Sequence, residues 1–416
     1  MDWFKSILSR LLRRSERYTK TDMVYVAKNG FWLSLGQILS IVSVIASSIV
    51  FGYFLPKEVY GEYKFILSVV GVLGALSLSG LGTAVTQAVA ISKEGVLRQS
   101  IKVMLRWGIV IFIVSVFLSV YYFSNQNYDL GIAILISGIL TPFINAFGLV
   151  ISFFSGKKDF KRSTLFALSQ QIIITSLLIL TSLFIQNALI LIFVNFFSAF
   201  IVSYCIYLFT MNKFVINNEN DESLIEHGKH LSYMNFFSNL ANQLDKILVF
   251  HWVGAVELAV YSFAIAIPEQ IKGSYKNLFN IALPKMASAD QNLLKKSIID
   301  KFIRLTTISV FIVVLYYFVS PYIYHIFFPK YLESIWYSQV YVLGLIAVPG
   351  IALFSMYFQV KQDRGTLYRL NLIGNIATII LTCVLVYRFG IVGAVIENGI
   401  SWFILLFVNL YYFLRR

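Results

Sequence analysis

The chain has 416 residues, 58% of them hydrophobic, 16% aromatic and only 13% charged, with a formal net charge of +14. A soluble domain carries about 25% charged residues, so this composition excludes an ordinary soluble protein. A basic excess of this size would suggest nucleic acid in a soluble chain, but here it marks loops on one side of a membrane, and no nucleic-acid partner is expected.

The first segment, residues 1–29, is a basic amphipathic arm. Trp3, Phe4, Ile7, Leu8 and Leu11 share one helical face, with Lys5, Arg10, Arg13, Arg14 and Arg17 around them. That pattern suits a helix lying on an anionic leaflet. No cleavable signal peptide is expected, because the first apolar run continues as a full span.

Runs of about 20 apolar residues, each one bilayer crossing at a helical rise of about 1.5 Å per residue, follow to the end. They fall at 30–55, 64–91, 103–123, 130–155, 164–185, 188–210, 231–254, 258–284, 303–328, 335–360, 366–388 and 391–413. They do not alternate in polarity, as barrel strands would. The expected fold is therefore an all-α polytopic membrane protein with about twelve transmembrane helices. Residues 211–230, MNKFVINNENDESLIEHGKH, are polar and locally acidic. They read as a cytoplasmic linker between two six-helix lobes, 30–210 and 231–416.

Of the 34 Lys and Arg residues, 27 lie on the side of the termini and linker, four on the opposite side and three inside spans. This bias puts both termini in the cytoplasm. The two halves also resemble each other. Phe153–Asp159 (FFSGKKD) matches Tyr357–Asp363 (YFQVKQD) in kind, and a Thr-Leu pair follows each, at Thr164-Leu165 and Thr366-Leu367. Gly61-Glu62-Tyr63 and Ala259-Val260-Tyr261 follow the first span of each half. Six spans per half keep both halves in one orientation, which predicts a parallel repeat around a central cavity. The second span is rich in glycine, at Gly71, Gly74, Gly80 and Gly82, which allows close packing or a bend.

The seventh and eighth spans carry charges that a bilayer penalises by about 2.5–3.5 kcal/mol each. In the seventh, Asn235, Asn239, Asn242 and Lys246 fall within about 60° on a helical wheel, with Asp245 beside them. In the eighth, Glu269, Lys272, Lys276 and Asn280 fall within about 80°. These nine residues are the candidate substrate-binding set. Amides can also act as glue between helices, and Lys276 can snorkel to the inner interface. Lys246 and Glu269 lie at similar depth and are expected to pair, leaving Lys272 and Lys276 in cationic excess toward the cytoplasm. Asn371, Asn375, Glu397 and Asn398 are weaker candidates. Gln37, Gln87, Asn145, Gln170, Gln171 and Asn195 read as helix–helix contacts. His227 and His230 lack further ligands, and Cys205 and Cys383 form no spacing pattern, so no metal, cofactor or catalytic group is expected.

Asp245-Lys246 inside the seventh span, then Gly254, Tyr261 and Pro284, with the Leu55-Pro56-Lys57-Glu58 turn before Gly61-Glu62-Tyr63, resemble the Wzx-type polysaccharide flippases. These O-antigen and exopolysaccharide transporters belong to the multidrug/oligosaccharidyl-lipid/polysaccharide exporter superfamily. Ala259 departs from the pattern, since such proteins often have Gly two residues before the Tyr. The resemblance implies a multi-pass protein of the bacterial cytoplasmic membrane. It would translocate undecaprenyl-diphosphate-linked oligosaccharide repeat units by alternating access, for surface polysaccharide synthesis. The implied partners are the lipid-linked oligosaccharide, the bilayer, and a polysaccharide polymerase with its chain-length regulator. Two alternatives stand beside it. A cation-coupled exporter of the same fold predicts a dominant buried carboxylate in the first lobe. A membrane polysaccharide polymerase or ligase predicts a long outer loop.

Overall fold

The computed structural model describes residues 23–287, 291–361 and 363–415. The predicted arm helix at 3–12 lies outside the described residues. The helices are α1 (Met23–Phe54), α2 (Lys57–Ala75), α3 (Leu81–Ala90), α4 (Gly95–Ser124), α5 (Tyr128–Gly156), α6 (Phe160–Phe184) and α7 (Ala188–Lys213). After the linker come α8 (Glu222–Trp252), α9 (Ala255–Ala287), α10 (Gln291–Phe327), α11 (Ser334–Leu343), α12 (Val348–Val360) and α13 (Arg364–Arg415). No strand occurs among the described residues. With α2–α3 and α11–α12 as broken crossings and α13 turning back at Gly390, the chain makes the twelve passes expected from the sequence. The φ of Gly390 is +57°, a conformation open to a residue without Cβ.

Among the described residues, eight stretches are long and apolar enough to cross a membrane by length and composition alone. The α2–α3 pair, α8 and α9 are not among them. The first is interrupted, and the other two carry the charges. The turns between crossings are short, and side chains cap the helices that follow. Asn127, Asp159, Asn187 and Asp221 each accept a backbone N–H from the first turn of the next helix.

The internal repeat is visible in backbone detail. Lys157 N–H donates to Phe153 O at 3.0 Å, and Lys361 N–H to Tyr357 O at 3.0 Å. Asp159 N–H bonds Phe154 O at 2.9 Å, and Asp363 N–H bonds Phe358 O at 3.0 Å. Each Asp then caps the next helix at 3.1 Å, through Arg162 N–H or Thr366 N–H. Lys157 lies 4.8 Å from the Phe153 ring and Lys361 4.7 Å from the Tyr357 ring. The same local sequence builds the same turn after the fourth crossing of each half.

The glycine-rich second crossing is broken, as bends at glycine allow, with Leu78 at φ +58°. The break brings Gly80 against α8, where a Cβ would come within 2.3 Å of Gly228 O. Gly80 N–H donates to Ser232 Oγ at 2.9 Å. The tenth crossing, read from the sequence as one span, is interrupted by a 3₁₀ turn at Gly344–Ile346.

At the end opposite the linker, an aromatic seam joins the halves. Phe65 stacks on Phe250 with ring centroids 3.9 Å apart, and Tyr60 lies 4.6 Å from Phe263. Such pairs contribute about 0.5–1.5 kcal/mol beyond area burial. Gly61 meets α9 so closely that a Cβ would sit 1.8 Å from Ala255 O. Lys57 bridges to Glu333 at 2.5 Å, and Lys330 donates to Tyr53 O at 2.6 Å. This end is closed.

Candidate functional site

The polar stripe of α8 does not face one space. The helix packs against α2 and α3 on one side and α13 and α9 on the other, and a cavity opens on each flank. The larger, about 660 Å³, lies within the second half, between α8, α9, α11, α12 and α13. Asn242, Asp245 and Lys246 line it from α8, and Glu269 and Lys272 from α9. Asn239 lines the smaller cavity, between α8 and the first half. Asn235 is exposed and lines neither of the two cavities. The side chains of Lys276 and Asn280 lie outside the described residues.

The predicted pairing within this set is corrected by the geometry. Glu269 pairs with Lys272, one turn along its own helix, at 2.7 Å. Its carboxylate also accepts a hydrogen bond from Tyr341 of α11. Lys246 lies near Gln243 Oε1 at 3.5 Å and 3.8 Å from Asp245 Oδ1. The physical reason is spacing. Residues three apart on a helix are neighbours, and the pair needs no alignment between helices. Lys272 is thus not a spare cation.

Asp245, only 7% exposed, accepts from Tyr261 Oη at 2.5 Å. Asn398 Nδ2 lies 3.3 Å from the same hydroxyl, which ties α8, α9 and α13 together. Glu397, 1% exposed, accepts from Ser401 Oγ at 2.5 Å. The described lining holds three carboxylates and two ammonium groups. Buried charges are tolerated when paired and hydrogen-bonded, as Glu269 and Lys272 are; Glu397 has its serine donor, and among the described residues Asp245 Oδ1 accepts no hydrogen bond. The cavity is near charge balance rather than cationic.

Aromatic residues complete the wall. The Lys272 ammonium sits 4.6 Å from the centre of the Trp402 ring, and Tyr341 meets Trp402 edge to face at 5.3 Å. Sequence reasoning missed both rings, because aromatics in an oily chain look alike whether they face lipid or a cavity. Glu397 and Asn398, read as weaker candidates for want of a neighbouring polar stripe, line this cavity as well. Three of the six isolated amides make the contacts between helical segments read for them. Gln171 bonds Ser40 and Gln170 bonds Ser203, each across two helices, and Asn145 bonds Ser77 in the break between α2 and α3. Asn375 likewise bonds Ser238 at 2.8 Å.

Residues 26–289 match the model of a family described as "Polysaccharide biosynthesis protein". The chain belongs to this family. No curated protein matches it in sequence. Among solved structures, it is similar to the lipid II flippase MurJ in an inward closed conformation. The TM-score is 0.73 at 13% identity, covering 91% of this chain and 86% of that one. It is similar as well to an inward-facing MATE family multidrug transporter of the MOP superfamily. That match has a TM-score of 0.66 at 14% identity, over 93% and 98% of the two chains. A MOP superfamily transporter from Pyrococcus furiosus, described as having a binding pocket of reverse polarity, matches at TM-score 0.62 and 13% identity, over 94% and 95%. Identities this low establish a shared fold. This polysaccharide biosynthesis protein therefore shares the helical fold of these transporters and is a multi-pass membrane protein.

Proposed function

We propose that the protein is a flippase that moves undecaprenyl-diphosphate-linked oligosaccharide repeat units from the cytoplasmic to the outer leaflet by alternating access. The observation that carries this reading is the second-half cavity in a member of the polysaccharide biosynthesis family. Its 660 Å³ lies within the 300–1,000 Å³ usual for ligand sites. Its wall alternates amides, hydroxyls and paired charges with Trp402 and Tyr341. A glycan needs both kinds of surface, because its hydroxyls seek donors and acceptors while its C–H faces stack on rings. In this reading Asn242, Asp245, Lys246, Glu269 and Lys272 contact the sugars. The polyprenyl tail stays in lipid, both termini are cytoplasmic, and the flipped unit passes to a polymerase working with a chain-length regulator. The segments are the basic arm at 1–29, a lobe at 30–210, the linker at 211–230 and a lobe at 231–416.

A second reading, a cation-coupled exporter, draws on the buried carboxylates Asp245 and Glu397. They lie in the second half, not the first, where a dominant carboxylate was expected of such an exporter. Deleting the protein separates the possibilities. A flippase leaves lipid-linked repeat units trapped on the cytoplasmic face. Unpolymerised units already outside would assign the protein to polymerisation, and an unchanged distribution with greater drug sensitivity would assign it to export.

A further inference from the structure

The smaller cavity, about 470 Å³, lies between α8 and the first half, bounded by α2, α3, α4, α5 and α6. Among the described residues, no charged residue lines it. Its polar groups are Ser77, Ser79, Ser152, Asn145, Gln170 and Asn239. Several have hydrogen-bonding capacity left over. Asn145 spends its NH₂ on Ser77 in the break between α2 and α3, and Gln170 its NH₂ on Ser203 of α7, which leaves their carbonyl oxygens as acceptors. The side chains of Asn239, Ser79 and Ser152 make no hydrogen bond with other described residues.

The remaining wall is glycine and aliphatic carbon. A Cβ built on Gly148 would meet nothing within 4 Å, so this helical glycine faces open space. Met104, Ile144 and Leu149 supply apolar surface beside it. Glycine inside a helix costs about 1 kcal/mol relative to alanine. Here it leaves room where a side chain would project into the cavity.

This chemistry selects its occupant. A hydrocarbon tail would strand the amides, which is costly away from water. An organic cation would find neither a carboxylate nor an aromatic face. A diphosphate would find no cation. A neutral pyranose brings hydroxyls that both donate and accept, with C–H faces for the aliphatic wall. We infer that this cavity is a second sugar subsite, taking uncharged hexose or N-acetylhexosamine residues of the transported glycan. It rests on the flippase reading above. Helix α8 is then the wall between two subsites of different character. Asn239 serves the neutral side, and one turn on, Asn242, Asp245 and Lys246 serve the charge-balanced side.

The test measures affinity of the purified full-length protein for two probes: undecaprenyl diphosphate carrying the host's repeat unit, and undecaprenyl diphosphate without sugar. The wild type is expected to prefer the glycosylated probe. Gly148→Phe fills the cavity from a position without a clash and is expected to lower that preference by about tenfold, the loss of one to two hydrogen bonds. Gly148→Ala is expected to keep it. Asn239→Leu removes an amide that bonds no other described residue, and is expected to lower the preference severalfold even where Gly148→Phe fails to fold. Full preference in a folded Gly148→Phe, or in Asn239→Leu if the former does not fold, would overturn the subsite and leave the flippase reading standing. A wild type that binds both probes equally would overturn both.

Discussion

At the residue scale, the decisive contact is the Glu269–Lys272 pair, held by Tyr341 and covered by Trp402. It was partly legible in the sequence, since the two residues stand three apart on one helix. What the sequence could not supply was the partner from α11, because a helical wheel gives the facing of one helix and not its neighbours. The contact makes a specific claim about charge exchange. Glu269→Ala or Lys272→Ala alone is expected to lower glycan flux and to reduce stability by about 1 kcal/mol, as befits a partly exposed pair. Combining Glu269→Lys with Lys272→Glu is expected to recover flux, measured as surface polysaccharide at matched protein levels. Combining Lys246→Glu with Glu269→Lys is expected not to recover it. Recovery in the second pair only would restore the pairing read from the sequence.

At the element scale, two devices control how the halves meet. The first is the clasp that fixes the linker to the first half. The Glu94 carboxylate accepts from Ile216 N–H at 2.6 Å and pairs with Lys157 at 2.9 Å, while Lys93 pairs with Asp221 at 2.7 Å. Burial pushes the Glu94 carboxyl up, but the Ile216 N–H and the Lys157 ammonium outweigh it and leave it below the usual carboxylate range. The hydrogen bond from Lys93 and that from Ser223 bring Asp221 down to about 2. Both folded values are depressed, so the clasp is at full strength above the ordinary carboxylate range. It is lost only as pH falls through the depressed values. Glu94→Ala is expected to raise proteolytic cleavage within 214–221 severalfold at pH 7, with wild-type cleavage flat from pH 6 to 8. Equal cleavage in both would remove the clasp. The second device is the Gly61 contact with Ala255. Gly61→Ala is expected to destabilise the protein by about 1–3 kcal/mol, the usual cost of overpacking, read as a lower melting temperature. The break between α2 and α3 was legible as glycine. The break between α11 and α12 was not, because an apolar run of 335–360 reads as one span whether or not a 3₁₀ turn interrupts it.

At the scale of the whole molecule, hydrophobic run length made twelve crossings legible, because a bilayer sets the same length requirement on every helix. The repeat was legible where the two halves share a turn, at Asp159 and Asp363. The division of polar space by α8 was not, since Asn239 and Asn242 look equivalent on a wheel until α2 and α13 are placed on either side of the helix. With the end opposite the linker sealed by Lys57–Glu333 and the aromatic seam, alternating access requires this seal to open. The most direct measurement follows a fluorescent undecaprenyl-diphosphate-linked repeat unit across proteoliposomes holding purified protein with Lys57→Cys and Glu333→Cys. Reduced, the protein is expected to equilibrate the probe between leaflets. Oxidised to a disulfide, it is expected to stop, and reductant to restore movement. Crossing at the same rate with the seal locked, or no crossing in the reduced protein, would contradict a flippase that works by opening this end.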